Sequence, residues 1–344
     1  APYSSGGNNT AFGYETLTAF TTGHQNVAMG WEAAKSLTTG YYSTFLGARA
    51  GRSVTTGNVN TLIGWQAGYA MTDASNKVAI GYRAGYVNGG AMDIHIGYEA
   101  GLNVTAGDNI SIGRSAGRGY HGVSQTEFQA NTTNRYNVSI GNFAGTKAIG
   151  TNSVNVGHNA GYYATGSNNT FLGSSAGKGG TTSAPFSSGE ANTAVGYQAL
   201  TAFTTGGDNT AIGRNAGMAI TSGARNVIVG KQAGAAMTIG TNNVALGVSA
   251  MSAADGLERE TIAIGYYAGG SVNSDSAIRN VFIGEQAGYG GTGALSYSVA
   301  IGHHALSSTG TNGLSGTVAI GYEAGKAITS GQYNTIIGYQ AADS

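Results

Sequence analysis

The chain has 344 residues, a formal charge of zero, 9% charged residues, 60 glycines, two prolines and no cysteine. So lightly charged a chain has neither the basic face that meets nucleic-acid phosphates nor the carboxylates of an acidic calcium-binding roll, and without disulfides its stability must come from burial and stacking. The glycine lacks a G-X-Y period, which excludes collagen, and no apolar run is long enough to cross a bilayer, so no membrane insertion is expected.

The stretch NTAIGRNAG (209–217) recurs throughout. The glycine closing NTAIG, taken as a marker, falls at Gly13, Gly30, Gly47, Gly64, Gly81, Gly97, Gly113, Gly141, Gly157, Gly173, Gly196, Gly213, Gly230, Gly247, Gly265, Gly284, Gly302, Gly321 and Gly338. A fixed period of about 17 residues is the signature of stacked repeats. The expected fold is all-β, a parallel β-solenoid (β-roll) of about 19 coils, with residues 1–344 forming one repeat domain. A 17-residue circuit of about 56 Å suits a flattened roll with two facing sheets, and nineteen coils would stack to about 90 Å.

The columns of the repeat act as repeated observations of one position. Three before the marker the residue is always β-branched (Thr10, Val27, Ile262), and one before it is always apolar (Phe12, Met29, Ile337). The two share a face of a short strand, which is expected to be the buried face. The marker suits a turn needing positive φ or leaving no room for a side chain. An Ala follows three residues later in every coil but the first, and an apolar residue recurs seven past the marker (Leu37, Val54, Met71, Ile220), so each coil is expected to run strand, turn, strand, turn. Asn opens the strand in twelve copies, including Asn26, Asn60 and Asn209; both an amide ladder and a plain turn preference fit.

The column two before the marker is then expected to face outward, yet it is apolar in fifteen of nineteen coils, with Phe45, Leu62, Phe171 and Phe282 among them. Soluble chains avoid so long a greasy stripe, and cyclic association of like rods would cover it, so a homotrimer is expected. Its polar exceptions, His95, Ser111, Ser139 and Asn155, fall in consecutive coils, predicting a hydrated stretch on the symmetry axis where three His95 side chains hold an ion or only ordered water.

In chain order, five of the first seven coils carry an aromatic just past the marker, at Tyr14, Trp31, Trp65, Tyr82 and Tyr98. Such rings either stack on one another or present faces to sugars. An insertion at about 118–136 holds Tyr120, His121, Phe128 and Tyr136, and a second at about 179–191 holds Phe186; lateral loops of solenoids are common partner-binding positions. Trp31, Trp65 and Tyr82 join these five as candidate partner-binding residues. The later coils lengthen slightly, with one charge cluster, ADGLERE, at 254–260.

The units NTAVGYQAL (192–200) and VAIGYEAG (318–325) resemble the repeats of trimeric autotransporter adhesin heads and the Gly/Asn-rich repeats of bacteriophage tail fibres. The resemblance implies a trimeric β-roll fibre, extracellular, on a virion or a cell surface, with a cell-surface glycan or protein as receptor. It further implies that the end at Ala342, Asp343 and Ser344 is compatible with release from a C-terminal chaperone, and the opening APYSSGGNN shows no basic or hydrophobic leader.

No catalytic constellation, metal-ligand spacing or phosphate-binding glycine motif stands out, so no enzyme activity and no cofactor are expected. Glu15 and Glu32, two past successive markers, form the nearest approach to a glycosidase-type pair. An end-to-end filament subunit and an ice-binding face built on Thr21, Thr38 and Thr55 with their following threonines are the alternative readings.

Overall fold

The structure, a computed structural model, describes residues 5–87, 90–119, 135–181, 186–254, 256, 258–271, 277–290, 295–309 and 314–343. The chain forms two compact units, Ala1–Asn168 and Asn169–Ser344. The first holds nine strands, β1 (Thr10–Phe12), β2 (Val27–Met29), β3 (Thr44–Leu46), β4 (Thr61–Ile63), β5 (Val78–Ile80), β6 (Ile94–Ile96), β7 (Ile110–Ile112), β8 (Val138–Ile140) and β9 (Val154–Val156). The second holds ten, β10 (Thr170–Leu172), β11 (Thr193–Val195), β12 (Thr210–Ile212), β13 (Val227–Val229), β14 (Val244–Leu246), β15 (Ile262–Ile264), β16 (Val281–Ile283), β17 (Val299–Ile301), β18 (Val318–Ile320) and β19 (Thr335–Ile337). Within each unit every strand pairs in parallel with the next, in register column by column, as Thr210 with Val227 and Ile212 with Val229. Each unit is a parallel β-solenoid, and no helix occurs among the described residues.

Among the described residues, the expected second strand of each coil does not form. Beyond the marker the chain turns through residues two and four past it, and five before the next marker, that hold positive φ, as at Gln232 (58°), Gly234 (52°) and Asn242 (58°). Such left-handed positions break an extended run. The far side is therefore a stack of turns, held by coil-to-coil bonds such as Ala34 N–H to Ala50 O (2.9 Å) and Thr38 N–H to Thr55 O (2.8 Å).

The marker glycine is required on both grounds anticipated for it. Gly213 has φ of 135°, and a Cβ there would lie 2.5 Å from the Gly230 carbonyl oxygen of the next coil. No L side chain fits that backbone or that gap.

The strand faces are the reverse of those expected. The middle residue of each strand points into the roll, with Ala28, Phe45, Leu62, Phe171, Ile228 and Phe282 all fully buried. The flanking columns point outward and stay exposed or half-exposed. The interior is narrow, and its packing is complementary within many coils and, where both positions are small, between neighbouring coils, as at Gly217 with Leu200 and Ile228. A bulky middle residue faces glycine four past the marker: Cβ atoms at Gly51, Gly177 and Gly288 would come within 2.4, 2.3 and 2.3 Å of Phe45, Phe171 and Phe282. Where that position is instead Leu200, Met251 or Leu306, the middle residue is Ala194, Ala245 or Ala300. With the Ala three past the marker and the apolar residue seven past it, these columns form the core, and each large side chain buried contributes roughly 1.5–3 kcal/mol.

The Asn column forms a ladder. Asn209 accepts the Asn226 N–H on its Oδ1 (3.1 Å) and donates its Nδ2 to Gly223 O (2.9 Å), while its own N–H reaches Asn192 Oδ1 (3.1 Å). Each amide satisfies one backbone donor and one turn carbonyl that would otherwise be buried unpaired, worth about 1 kcal/mol per bond.

Candidate recognition surface

Two surfaces follow from this frame. The first is the outer face of the strands. Val227 and Ile212 are 41% and 40% exposed, and Phe12 and Ile337 reach 71% and 66%. One apolar column, the residue before the marker, thus runs along each unit for roughly 40 Å, and about 7 Å from it runs a β-branched column that mixes Val and Ile with Thr; such a stripe is comparable to the largest apolar patches of ordinary monomers. The middle-column stripe on which the oligomer was expected is buried inside the roll and leaves nothing there for a partner to cover; the side chains that stay exposed are those of the flanking columns.

The second surface lies just past the marker, where side chains stack from coil to coil. Trp65 lies on Tyr82 at 4.9 Å and Tyr82 on Tyr98 at 4.8 Å, with interplanar angles of 17° and 5°. His303, Tyr322 and Tyr339 repeat the arrangement at 5.1 Å spacings. Tyr82 therefore has both ring faces occupied. Trp65 has one, because the preceding coil carries Ala48 in this column. Trp31 is capped by the Arg49 guanidinium at 4.2 Å.

Beside Trp31 stands a charge network. Lys35 bridges Glu15 and Glu32, its Nζ lying 2.9 Å from Glu32, and Arg49 and Arg52 each bond the Glu32 carboxylate at 2.9 Å. Hydrogen bonds from Lys35 first, then from Arg52 and Arg49, lower the Glu32 pKa to about 2. So firmly ionised a carboxylate cannot act as the general acid of a glycosidase-type pair near neutral pH.

His95, Ser111, Ser139 and Asn155 are brought together, but not on an assembly axis. All four are buried inside the first unit, because they belong to the inward middle column. This corrects the expectation of an axial site shared by three chains. Around them the Asn ladder is interrupted by a buried ion pair, Lys77 Nζ to Asp93 Oδ2 at 2.9 Å, with His95 Nε2 4.0 Å from the same oxygen. Burial, chiefly, lowers the His95 pKa to about 4, opposed by Asp93 and aided by Lys77, so its ring is neutral at pH 7. A narrow void too tight for a water molecule follows, where Asn109, Ser111, Asn137 and Ser139 meet Val104, Ala148 and two glycines. Both amide atoms of Asn155, next along the column, lack a hydrogen-bond partner.

Tyr136 is exposed and Phe186 half-buried, at the edges of the two insertions; Tyr120, His121 and Phe128 lie outside the described residues. Thr21, Thr38 and Thr55 donate their hydroxyls to Thr38, Thr55 and Thr72 carbonyls at 3.0 Å, so the donors of that column are spent between coils. Sequence reasoning missed one cluster, Glu285 with His303 and His304. The signal was available in the columns, since Glu285 and His303 each directly follow a marker in successive coils.

No protein-family model and no curated protein matches the chain.

Proposed function

We propose that the chain is a non-enzymatic structural and receptor-binding shaft, extracellular on a virion or a cell surface, and that it assembles as a homotrimer. The observation that carries this reading is the outward apolar column along each parallel ladder, flanked by a β-branched column of Val, Ile and Thr. An apolar side chain before the marker in every coil, exposed or half-exposed, calls for a cover of equal regularity, and another copy of the same chain supplies the same repeat. The phage tail-fibre and adhesin-head repeats that the sequence resembles support the same assembly.

Receptor contact then falls to the lateral insertions and to the one break in the aromatic column. Trp31 and Trp65 stand roughly 10 Å apart across two coil steps, and the intervening coil offers only Ala48 and the Arg49 guanidinium that covers Trp31, so the Trp65 face without an aromatic neighbour is the one we assign to stacking on a sugar ring. A glycan array probed with the native chain, with Ala48→Tyr, which fills the gap, and with the 120–136 insertion replaced by a short linker tests this. Binding lost in either variant is the expected result. Absence of binding by the native chain, or binding indifferent to both changes, would reject the recognition role.

A further inference from the structure

We infer that Glu285, His303 and His304 form a binding site for a borderline divalent transition-metal ion of the Zn²⁺ type. The three lie on two successive coils of the second unit, just past the strands β16 and β17. The His304 N–H donates to Glu285 O at 2.9 Å, which fixes the two turns against each other. One nitrogen from each imidazole and one carboxylate oxygen lie within 4.8 Å of one another, and His303 Nε2 is 3.9 Å from Glu285 Oε2. Metal–ligand bonds of about 2.0–2.2 Å require these atoms to draw in by roughly 1 Å, a movement open to the exposed Glu285 side chain.

Three further observations prepare the site. The His303 ring is held by stacking on Tyr322 at 5.1 Å with parallel planes, and it meets His304 edge-on at 4.1 Å. With Nδ1 buried against the protein, Nε2 is the ring nitrogen turned toward Glu285. The His304 ring is half-buried beside that of His303, so its position is confined by packing as well. Lys326 is engaged by Glu323 at 2.7 Å, and Glu323 also accepts from Gln340 at 2.9 Å. Two imidazoles and one carboxylate suit zinc, cobalt, nickel or copper rather than calcium or magnesium, and leave an open position for water or a ligand atom from a partner.

Calorimetric titration of the full chain with Zn²⁺ tests the inference, alongside Glu285→Gln, His304→Ala and a His24→Ala His158→Ala control. Saturable binding of one ion per chain is expected, weakened at least about tenfold in each site variant and unchanged in the control. If His304→Ala fails to fold, the exposed Glu285→Gln decides alone. No saturable binding up to about 1 mM, or binding that survives Glu285→Gln, would overturn the assignment.

Discussion

Phe282 and Gly288 offer the sharpest test of which strand face is inside. Phe282 is fully buried, and a Cβ at Gly288 would sit 2.3 Å from its ring. Truncation by Phe282→Ala leaves a cavity across the narrow roll and is expected to cost about 3–5 kcal/mol. Gly288→Leu alone forces a side chain into the ring and is expected to cost about 1–3 kcal/mol. The double variant recreates a pairing already present at Ala194 with Leu200 and at Ala300 with Leu306, whose leucines hold φ of 49° and 50°, close to the 61° of Gly288. It should therefore recover much of the loss, with a coupling of about 2 kcal/mol or more. Urea denaturation of the four proteins at one protomer concentration measures the cycle. Additivity within about 0.5 kcal/mol, or a near-neutral Phe282→Ala, would refute the inward assignment of the middle column.

Other consequences are equally direct. His95 has a folded pKa of about 4 against an ordinary 6.5, so the unfolded chain takes up its proton first and stability falls as pH drops from 7 through 4. With Asp93 and Lys77 facing it unchanged, His95→Gln should remove about 2 kcal/mol of the loss between pH 7 and pH 5 in parallel urea melts; identical pH slopes would contradict this. Gly213→Ala places a Cβ 2.5 Å from Gly230 O at φ of 135° and should destabilise by at least about 2 kcal/mol. Gly7→Ala meets nothing within 4 Å and should leave the thermal midpoint unchanged. Ile212→Glu on the exposed column should dissociate the assembly in sedimentation while leaving the far-ultraviolet circular dichroism of the coil intact.

Much of the fold was legible because a repeat displays each position nineteen times. The marker glycine, the short strand and the Asn column follow from fixed turn chemistry, and the structure adds only their partners. The inward face was not read correctly, because apolar residues occupy three successive positions and alternation alone leaves the choice of face open. Two signals pointed the right way. Seven of the residues three before the marker are threonine, including Thr44, Thr61 and Thr193, a poor choice for a buried column. The exchange of bulk between the middle column and the position four past the marker, as at Phe45 with Gly51 and Ala245 with Met251, marks two side chains sharing one space. The absent second strand was hidden for another reason. Glu32, Gln66 and Gln232 hold left-handed φ without being glycine or asparagine, so their conformation comes from the stacked frame rather than from residue type. The Glu285–His303–His304 cluster escaped a search for spacing along the chain because Glu285 and the two histidines come from successive coils.

The mass of the native assembly tests the central claim most directly. Equilibrium sedimentation of the purified chain at micromolar concentration should give three times the 34.4 kDa of one protomer, with dissociation only when the outward Ile and Val columns are made charged. A soluble, stable species of 34.4 kDa under the same conditions would show that the exposed seam needs no sister chain, and would contradict the account.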